Sequence, residues 1–346
     1  MELAATERLL RQAGYARRGL QAVTVLAGDG SDRLLYRCRF AQDPSVVLIM
    51  PPGRSSRELA EAASCAAIGR HLSAAGVPVP AIHGYDPVSG AVVMEDLGDL
   101  LLHARLQQNP DPAEIEALYR QALTALLQLQ VTARSGFSPA FCWDTPRYDR
   151  DLMLARESGY FYQALVREWL GQGPMGPELA AEFARLADRA GAEPADFILH
   201  RDYQCRNLML SQGRIRIIDF QGARFGPLGY DLAALLYDPY AALTPALREA
   251  LLAFYLEEAG RMMAGFDREA FRRGWYFLAL QRNLQIMGAF AFLTRRKGKV
   301  FFRAYLQPAA AQLLSLLAAP GGENFPVLQN LAAKVDQELS RARSRE

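Results

Sequence analysis

The chain has 346 residues, of which 51% are hydrophobic, and this is enough apolar material for a large core in two lobes or one big domain. Its 39 Lys and Arg against 37 Asp and Glu give a net charge of +2, which excludes a strong overall field for nucleic acid or an anionic membrane. The four cysteines are scattered without a CxxC pair, so no zinc or disulfide framework is indicated and a reducing cytoplasm is favoured.

The N-terminus and the longest apolar stretches give no sign of a targeting or membrane segment. "MELAATERLLRQAGY" is typical of an amphipathic helix and lacks the apolar core of a signal peptide. Apolar stretches such as Leu284 to Leu293 fall short of the roughly 20 residues that a bilayer span requires. We therefore expect a cytoplasmic protein that binds neither membranes nor nucleic acids. Its oligomeric state is open, with a monomer favoured.

The N-terminal part of the chain is rich in strand patterns. Short apolar runs between Gln21 and Met50, separated by Gly, Asp and Pro, predict a small antiparallel sheet. Helical spacing follows from Pro51 to Val77, with Ser55 or Ser56 as the N-cap, and this predicts one helix covering the sheet. Two further short strands end in an acidic segment, Glu95–Asp99, which is typical of a connector between lobes.

Beyond Leu100 the pattern changes to long helices, predicted at about Pro112 to Ala133, Arg147 to Leu170 and Glu178 to Gly191. Short strands then interrupt the helices, which resume at Tyr230. The predicted fold class is therefore α+β, with a small antiparallel β-rich lobe and a larger, mostly helical one. The predicted divisions are an N-terminal nucleotide-binding lobe at 1–95, a connector at 96–99, a helical C-terminal lobe at 100–319 and a tail helix at 320–346.

One span, "ILHRDYQCRNLMLSQGRIRIIDFQGAR", places two acids and an amide among branched apolar residues. The string H-R-D ends at Asp202, and Asn207 follows at the spacing of the kinase catalytic loop H-R-D-x-x-x-x-N. "NLML" and "IRII" can pair as a hairpin that brings Asn207 and Asp219 to one edge. Phosphoryl transfer needs a carboxylate for the attacking hydroxyl and oxygen ligands for Mg²⁺. Each residue alone is compatible with a simple turn, but together they predict one metal–phosphate site.

At these residues the chain resembles the protein-kinase-like phosphotransferases of small molecules, the family that includes aminoglycoside phosphotransferases and choline kinases. The resemblance covers about residues 20 to 315. The stretches "SDRLLYR", "VVMEDLGD", "IDFQGARFGPLGYDLAALLYD" and "ALQRNLQIMGAFAFLTRRKGK" are similar to one branch, the cell-wall-recycling kinases that phosphorylate N-acetylmuramate and N-acetylglucosamine at carbon 1. The resemblance implies a protein-kinase-like two-lobe fold, a sugar kinase activity, and ATP and Mg²⁺ as cofactors.

Residue by residue, the resemblance makes Asp202 the catalytic base, and Asn207 and Asp219 the metal ligands. His200 is expected to pack and hydrogen-bond beneath the loop. Asp231, in "GYDLAALL", resembles the residue that begins a helix under the catalytic loop and steadies it, a role compatible with a simple N-cap.

The sequence departs from protein kinases on the phosphate side of the nucleotide. The expected phosphate loop has only Gly28 and Gly30, and the strand that should carry a phosphate-binding lysine has Met50 near that place. Arg33 or Arg37 on the preceding strand is the candidate replacement, because alternate residues on a strand share a face. A solvated surface position is the alternative for both arginines.

The remaining nucleotide contacts are expected on the next helix and on the connector. Glu58 or Glu61 is expected to pair with the replacement arginine, and the sequence leaves this choice open. The resemblance implies that Val93 to Leu97 bind adenine, with backbone groups of Met94, Glu95 and Leu97 meeting the base edge. The choice between ATP and GTP is open as well.

The acceptor side is basic. The stretch from Phe271 to Arg303 holds six arginines and two lysines and no acid, which argues against a polycationic acceptor and suits a neutral or anionic sugar. Arg206 and Gln221 are the predicted substrate contacts, because they lie beside the catalytic loop and the metal aspartate in sequence. Arg224 and Arg282 are further candidates for a lactyl carboxylate, with outward-facing positions as the alternative.

Other acceptors and one other class of protein are alternatives. Trp275 and Tyr276 are candidates for stacking on a sugar ring, although their spacing is more typical of core residues. An aminoglycoside, choline or a nucleoside would keep the chemistry and change the acceptor. The missing lysine and the few loop glycines also allow a catalytically silent nucleotide-binding module. Retention of the residues Asp202, Asn207 and Asp219 favours the enzyme.

Overall fold

The computed structural model describes residues 1–17, 19–26, 32–319 and 323–343. The chain forms two compact units, and it passes from one to the other three times. The first unit contains Met1–Arg147 and Phe197–Phe225, and the second contains Tyr148–Asp196 and Gly226–Glu346.

The first unit is built on a five-stranded antiparallel sheet with the strand order β1-β2-β3-β5-β4. Its strands are β1 (Leu20–Leu26), β2 (Leu34–Phe40), β3 (Val46–Met50), β4 (Ile82–Asp86) and β5 (Ala91–Glu95). This is the small antiparallel sheet that the turn signals predict, and the α+β fold class is confirmed.

Helices lie on both faces of this sheet, α1 (Leu3–Gln12) on one and α2 (Ser56–Ala74) on the other. Leu10 of α1 is buried against Leu48 of β3, while Ile49 faces the opposite way and lines a pocket with residues of α2. The sequence predicts α2 and its start correctly: the Ser55 side chain caps the helix, and the Glu58 carboxylate accepts from the Ser55 amide at 2.8 Å. Helix α1 covers the other face of the sheet, in addition to the one covering helix that the sequence predicts.

The rest of the first unit carries short strands packed on a long helix. Its elements are α3 (Leu102–Leu106), α4 (Pro112–Gln130), β6 (Phe197–Leu199), β7 (Leu208–Ser211), β8 (Arg214–Ile217) and β9 (Arg224–Gly226). Asp111 caps α4 and proline occupies its first position, which explains why the helix begins where the sequence predicts. Strands β7 and β8 form a hairpin, and β6 pairs with β9.

The described part of the second unit is predominantly helical. Its helices are α5 (Arg150–Met153), α6 (Gly159–Phe161), α7 (Pro177–Gly191), α8 (Gly229–Leu236), α9 (Pro245–Met262), α10 (Arg268–Arg295), α11 (Leu306–Leu317) and α12 (Pro326–Arg343). Two π-helical stretches, Leu154–Ser158 and Tyr162–Trp169, interrupt the region predicted as one helix. The middle of helix α10 is buried over most of its circumference, and its buried side chains are mainly apolar but include Gln281, Arg282 and Asn283. No helix in the described ranges has the length and apolarity needed to cross a bilayer.

The C-terminal helix α12 is anchored to α7. The buried carboxylate of Glu182 accepts hydrogen bonds from the amides of Val327 and Leu328 at 3.1 and 2.7 Å, which satisfies the first turn of α12. Phe325 packs nearby, with the Arg185 guanidinium over its ring. The described tail helix is therefore packed within the second unit.

Candidate active site

A two-residue turn brings Asn207 and Asp219 to the same end of the β7–β8 hairpin. Leu208 pairs with Ile217, and beyond that pair the Ile218 amide donates to the Asn207 carbonyl at 3.0 Å. The turn has positive φ at both central residues, 52° at Gln212 and 74° at Gly213, as a type I′ turn requires. The predicted hairpin is confirmed. Asp219 directly follows Ile218, and it therefore lies at the same end of the hairpin as Asn207.

The loop before the hairpin is fixed by hydrogen bonds within the first unit. The side-chain nitrogen Nδ2 of Asn207 donates to the backbone carbonyl of Asp202 at 2.8 Å. His200 is 1% exposed, and its Nε2 lies 2.8 Å from the Ile218 carbonyl, beneath the loop. The Tyr203 hydroxyl donates to a backbone carbonyl of α4 at 2.7 Å. The backbone around Asp202 is thus held by the hairpin on one side and by α4 on the other.

Two residues of this region adopt the left-handed backbone conformation. The φ angle is 83° at Arg201, which precedes Asp202, and 64° at Asp219. Such a conformation costs a residue with a side chain about 1–3 kcal/mol and persists where the surroundings impose it, often at functional sites. The strain therefore lies beside the two carboxylates that the sequence singles out.

The donor set fits Mg²⁺ bound together with phosphates. Among the described residues, no group of three or more His, Cys, Asp and Glu could hold a metal by itself. Magnesium in kinases takes one or two carboxylates and completes its six oxygen ligands with phosphates and water. The carboxylate of Asp219 and the side-chain oxygen of Asn207 are such donors. The hydrogen bond from Asn207 to the Asp202 carbonyl is made by the side-chain nitrogen and does not involve that oxygen.

Arg33 forms an ion pair with Asp219, and Gln221 joins a second acid to the pair. The Arg33 guanidinium donates to the Asp219 carboxylate. The Gln221 amide donates to Asp219 Oδ1 at 3.1 Å and to Glu61 Oε1 at 3.4 Å. Of the two arginines considered from the sequence, Arg33 is therefore the one beside Asp219, and of the two glutamates Glu61 faces this network.

The ion pair shifts the pKa values of both partners in favour of their charged forms. Burial alone would raise the pKa of the Asp219 carboxyl, but the charge and hydrogen bond of Arg33, with the hydrogen bond from Gln221, lower it overall. Burial opposes the charge of Arg33, yet Asp219 and its neighbours raise the pKa of the guanidinium. Asp219 is consequently ionised at neutral pH, as a metal ligand must be.

Arg37 is used differently, because it holds the connector. Its guanidinium donates to Asp96 at 2.6 and 2.9 Å, to the Gly98 carbonyl at 2.9 Å and to Asp99 at 3.1 Å. Ser45 donates to the same Asp96 carboxylate at 2.6 Å. This network is not predicted from the sequence. Its signal there is the acidic connector together with Arg37 and Arg39 at alternate positions of one strand.

The predicted adenine-binding residues lie at the end of β5. Met94 and Leu97 are 8% and 7% exposed, so their side chains are buried. The Glu95 carboxylate accepts from Arg216 at 2.6 Å, and the Glu95 amide donates to the Ala81 carbonyl at 2.9 Å. The side chains are thus engaged within the first unit, and contact between the backbone and a base stays a prediction.

The strand that lacks the lysine shows which position faces the site. Met50 packs against the α1 side of the sheet, and Ile49 lines the pocket that contains Arg33 and Glu61. The position for a strand-borne cation is therefore Ile49 rather than Met50, because neighbouring residues point to opposite faces. The prediction about Gly28 and Gly30 lies outside the described residues.

The predicted acceptor contacts in the first unit differ in exposure. Arg206 is partly exposed and immediately precedes Asn207. Gln221 is 8% exposed, with its amide hydrogen-bonded as described above. Arg224 is 1% exposed and pairs with Asp144 at 3.2 Å, which makes it a structural residue. The acceptor roles of Arg206 and Gln221 stay predictions.

The candidates in the second unit are mostly core residues. Arg282 is 4% exposed, with its guanidinium over the Tyr230 ring. Trp275 is buried against Gly229, where a Cβ would lie 2.9 Å from the indole, so the core interpretation holds for it. Asp231 is fully buried as the third residue of α8, inside the first turn rather than at the N-cap.

The sheet, the covering helix and the loop-and-hairpin site define the class of the protein, a phosphotransferase with a protein-kinase-like fold. Residues 22–271 match the model of the "Phosphotransferase enzyme family". Because that match covers more than half of the chain, the chain belongs to this family.

Two curated relatives are similar over most of their length. The chain is 32% identical over 336 residues, 92% of each chain, to an N-acetylmuramate/N-acetylglucosamine kinase of Neisseria meningitidis serogroup B. It is 31% identical to the Pseudomonas aeruginosa protein of the same name, covering 83% of each chain.

Solved structures share the fold at low identity. A choline kinase from Cryptosporidium parvum superposes with a TM-score of 0.60 at 15% identity, covering 98% of each chain. The ADP-bound aminoglycoside phosphotransferase APH(2″)-Ib gives a TM-score of 0.56 at 15% identity, covering 90% of this chain and 99% of that one. These likenesses confirm the fold.

Proposed function

We propose that this chain is an ATP- and Mg²⁺-dependent kinase that phosphorylates the anomeric hydroxyl of N-acetylmuramate or N-acetylglucosamine. The observation that carries the proposal is the loop-and-hairpin arrangement that holds Asp202, Asn207 and Asp219 in one part of the first unit. The similarity to two curated kinases of these sugars supports the acceptor. The basic stretch from Phe271 to Arg303, which has no acid, agrees with a neutral or anionic sugar.

In this proposal Asp202 is the base. Its carboxylate accepts the proton of the sugar hydroxyl while the sugar oxygen forms a bond to the γ-phosphorus and the bond from that phosphorus to the β–γ bridging oxygen breaks. The products are a sugar 1-phosphate and ADP. Mg²⁺, held by Asn207 and Asp219, would neutralise charge on the phosphates. Arg33 takes the place of the missing lysine, and the connector residues Met94, Glu95 and Leu97 meet the adenine.

The other features follow from the same proposal. Arg206 and Gln221 are assigned to contacts with hydroxyl or carboxylate groups of the sugar. We place the nucleotide-binding lobe at residues 1–95, the connector at 96–99 and the acceptor-binding part within 100–319. We place the enzyme in cell-wall recycling and expect a monomer in the cytoplasm. A cytoplasmic location agrees with a nucleotide substrate and with the four free thiols.

The direct test is ADP release with a panel of acceptors. We expect turnover with N-acetylmuramate and N-acetylglucosamine, and none with kanamycin, choline or uridine. The methyl glycoside of N-acetylglucosamine, which lacks the anomeric hydroxyl, should be inert. Turnover with the glycoside would contradict the anomeric assignment, and turnover with choline or kanamycin alone would replace the sugar.

A substitution pair tests the role of Asp202. Asp202→Asn should lower kcat by about 10²–10⁴-fold, the range for loss of a general base. Asp111→Asn is the matched control: it makes the same change of charge at an exposed helix cap, where Asn serves as well. Nucleotide binding without turnover in the wild type would instead indicate a binding module.

A further inference from the structure

The β7–β8 hairpin is joined to both ends of the connector. After the connector, the Leu210 amide donates to the Leu100 carbonyl at 2.7 Å. Before it, the Glu95 carboxylate accepts from the Arg216 guanidinium at 2.6 and 3.2 Å. The hairpin that has the predicted metal ligands at one end therefore also holds the segment that is predicted to meet adenine.

The ion pair between Arg216 and Glu95 is bidentate and is supported on both sides. Each terminal nitrogen of Arg216 donates to a different oxygen of Glu95, which fixes direction as well as distance. Arg216 also donates to the Val79 carbonyl at 2.9 Å, and Glu95 accepts from the Ala81 amide at 3.1 Å. Burial alone would raise the pKa of the Glu95 carboxyl, but the hydrogen bonds from Arg216 and Ala81 lower it overall. Glu95 is therefore ionised at neutral pH, and its side chain has one defined place.

The two residues belong to the two elements that a nucleotide would have to reach. Glu95 ends β5, and its own backbone is among the predicted adenine contacts. Arg216 lies on β8, three residues before Asp219. The Ile218 amide donates to the Asn207 carbonyl at 3.0 Å. The ion pair thus joins a predicted adenine-binding residue to the strand that leads to the metal ligands.

We propose that Arg216 is a positioning residue for the nucleotide: its ion pair with Glu95 sets the distance between the adenine-binding connector and the metal ligands, so that one nucleotide spans both. This role rests on the proposed function for the nucleotide and the metal, and it is independent of the acceptor. A joined ligand binds more tightly than its halves when the two parts of its site are held at the matching distance, because less freedom is then lost on binding. Arg216 acts through the connector and the hairpin and needs no contact with the nucleotide.

Removal of the Arg216 guanidinium should weaken binding of the joined ligand and spare its halves. In Arg216→Met, MgADP should bind about fivefold to tenfold more weakly than in the wild type, at the low end of the range for coupling between two sites. Adenosine and magnesium tripolyphosphate are the probes for the base and for the metal with phosphates, and their affinities should not change. Calorimetry measures MgADP and tripolyphosphate, and ligand-observed NMR measures adenosine, all without sugar. A residue with a merely structural role would weaken binding of at least one of the halves.

The chain offers a matched control in the pair of Arg105 and Glu114. This pair is also bidentate, at 2.6 and 2.8 Å, and it joins α3 to α4. Its side chains are 24% and 40% exposed, against 22% and 36% for Arg216 and Glu95. Arg105→Met should therefore lower the thermal midpoint about as much as Arg216→Met does. All three ligands should bind to this control as they do to the wild type.

A second variant tests whether the two residues act together. Glu95→Gln removes the charge and keeps an acceptor for the Ala81 amide, so MgADP should again bind about fivefold to tenfold more weakly. When Glu95→Gln and Arg216→Met are combined, the loss should stay within about twofold of either single loss, because both changes break one interaction. Losses that multiply would show that the two side chains act separately, and this would overturn the proposal.

Three other results would overturn it as well. One is wild-type affinity for MgADP in Arg216→Met, another is a loss of adenosine affinity by the same factor as that of MgADP, and the third is an equal loss of MgADP affinity in Arg105→Met. A negative acceptor panel would leave all of these titrations unchanged. Failure of the sugar assignment is therefore distinguishable from failure of the positioning role.

Discussion

Two arginines close together in sequence show how similar ion pairs can have different uses. Arg33 immediately precedes β2 and Arg37 lies within it, and each binds an aspartate far away in sequence. Arg37 and Asp96 are 9% and 6% exposed, whereas Arg33 and Asp219 are 17% and 35% exposed. The more exposed pair is the one beside the proposed phosphates.

The geometry of the two pairs differs as much as their exposure. Arg37 donates four hydrogen bonds, two of them to one carboxylate and one to a backbone carbonyl, so its planar fork is fixed. Arg33 is joined to Asp219 through one of its terminal nitrogens. We expect the buried, multiply bonded Arg37 to stabilise the fold, and the more exposed pair of Arg33 and Asp219 to contribute less to stability.

Loss of Arg37 should have the largest effect on stability. Arg37→Met leaves the Asp96 carboxylate buried without its partner, and we expect the free energy of unfolding to fall by about 3–5 kcal/mol. Urea denaturation measures this, with Arg39→Met as a control expected to stay within about 0.5 kcal/mol of the wild type. A loss below about 1 kcal/mol for Arg37→Met would mean that the Arg37 pair stabilises the fold no more than the Arg33 pair does.

Acid should weaken the same network. Burial raises the pKa of Asp96, but Arg37 and Ser45 lower it overall, so the folded value lies below the unfolded value of about 3.9. The contribution of Asp96 is therefore complete above that pH and is lost as the pH falls through the folded pKa. Below about pH 4 the unfolding free energy of Asp96→Asn should fall less steeply with acid than that of the wild type. Equal slopes would contradict this role.

The hydroxyl that supports Asp96 should contribute less. Ser45 donates to Asp96 at 2.6 Å, and Ser45→Ala removes one hydrogen bond to a charged acceptor. We expect a loss of about 1–2 kcal/mol in the same urea measurement. No measurable loss would mean that the Arg37 fork alone fixes the connector.

Loss of Arg33 should have the smallest effect on stability. The pair with Asp219 is partly exposed, so Arg33→Met should cost about 1 kcal/mol or less. Its consequence should instead be seen in nucleotide affinity. A stability loss equal to that of Arg37→Met would make Arg33 a structural residue.

The sequence predicts the catalytic loop well because its information is local. The spacing from Asp202 to Asn207 and the apolar runs around the turn at Gln212 determine a hairpin that the structure contains. The capped start of α2 and the proline-initiated start of α4 are predicted for the same reason.

Long-range choices could not be read from the pattern. Arg33 and Arg37 are four residues apart, just before β2 and within it, and only folding decides that Asp219, 186 residues after Arg33, pairs with the first of them. A shift of one residue likewise decides that Ile49 rather than Met50 faces the pocket. The π-helical turns between Leu154 and Trp169 leave no comparable signal in the apolar periodicity.

In the proposed reaction Asp202 directs phosphoryl transfer to the anomeric oxygen of an N-acetylated sugar. Phosphorus NMR of a mixture of protein, ATP, Mg²⁺ and N-acetylmuramate tests it most directly. We expect a sugar 1-phosphate resonance to grow with the ADP signals in the wild type. In Asp202→Asn its growth should be at least about 10²-fold slower, with MgADP affinity unchanged. Inorganic phosphate as the only new product, or an equal rate in Asp202→Asn, would contradict it.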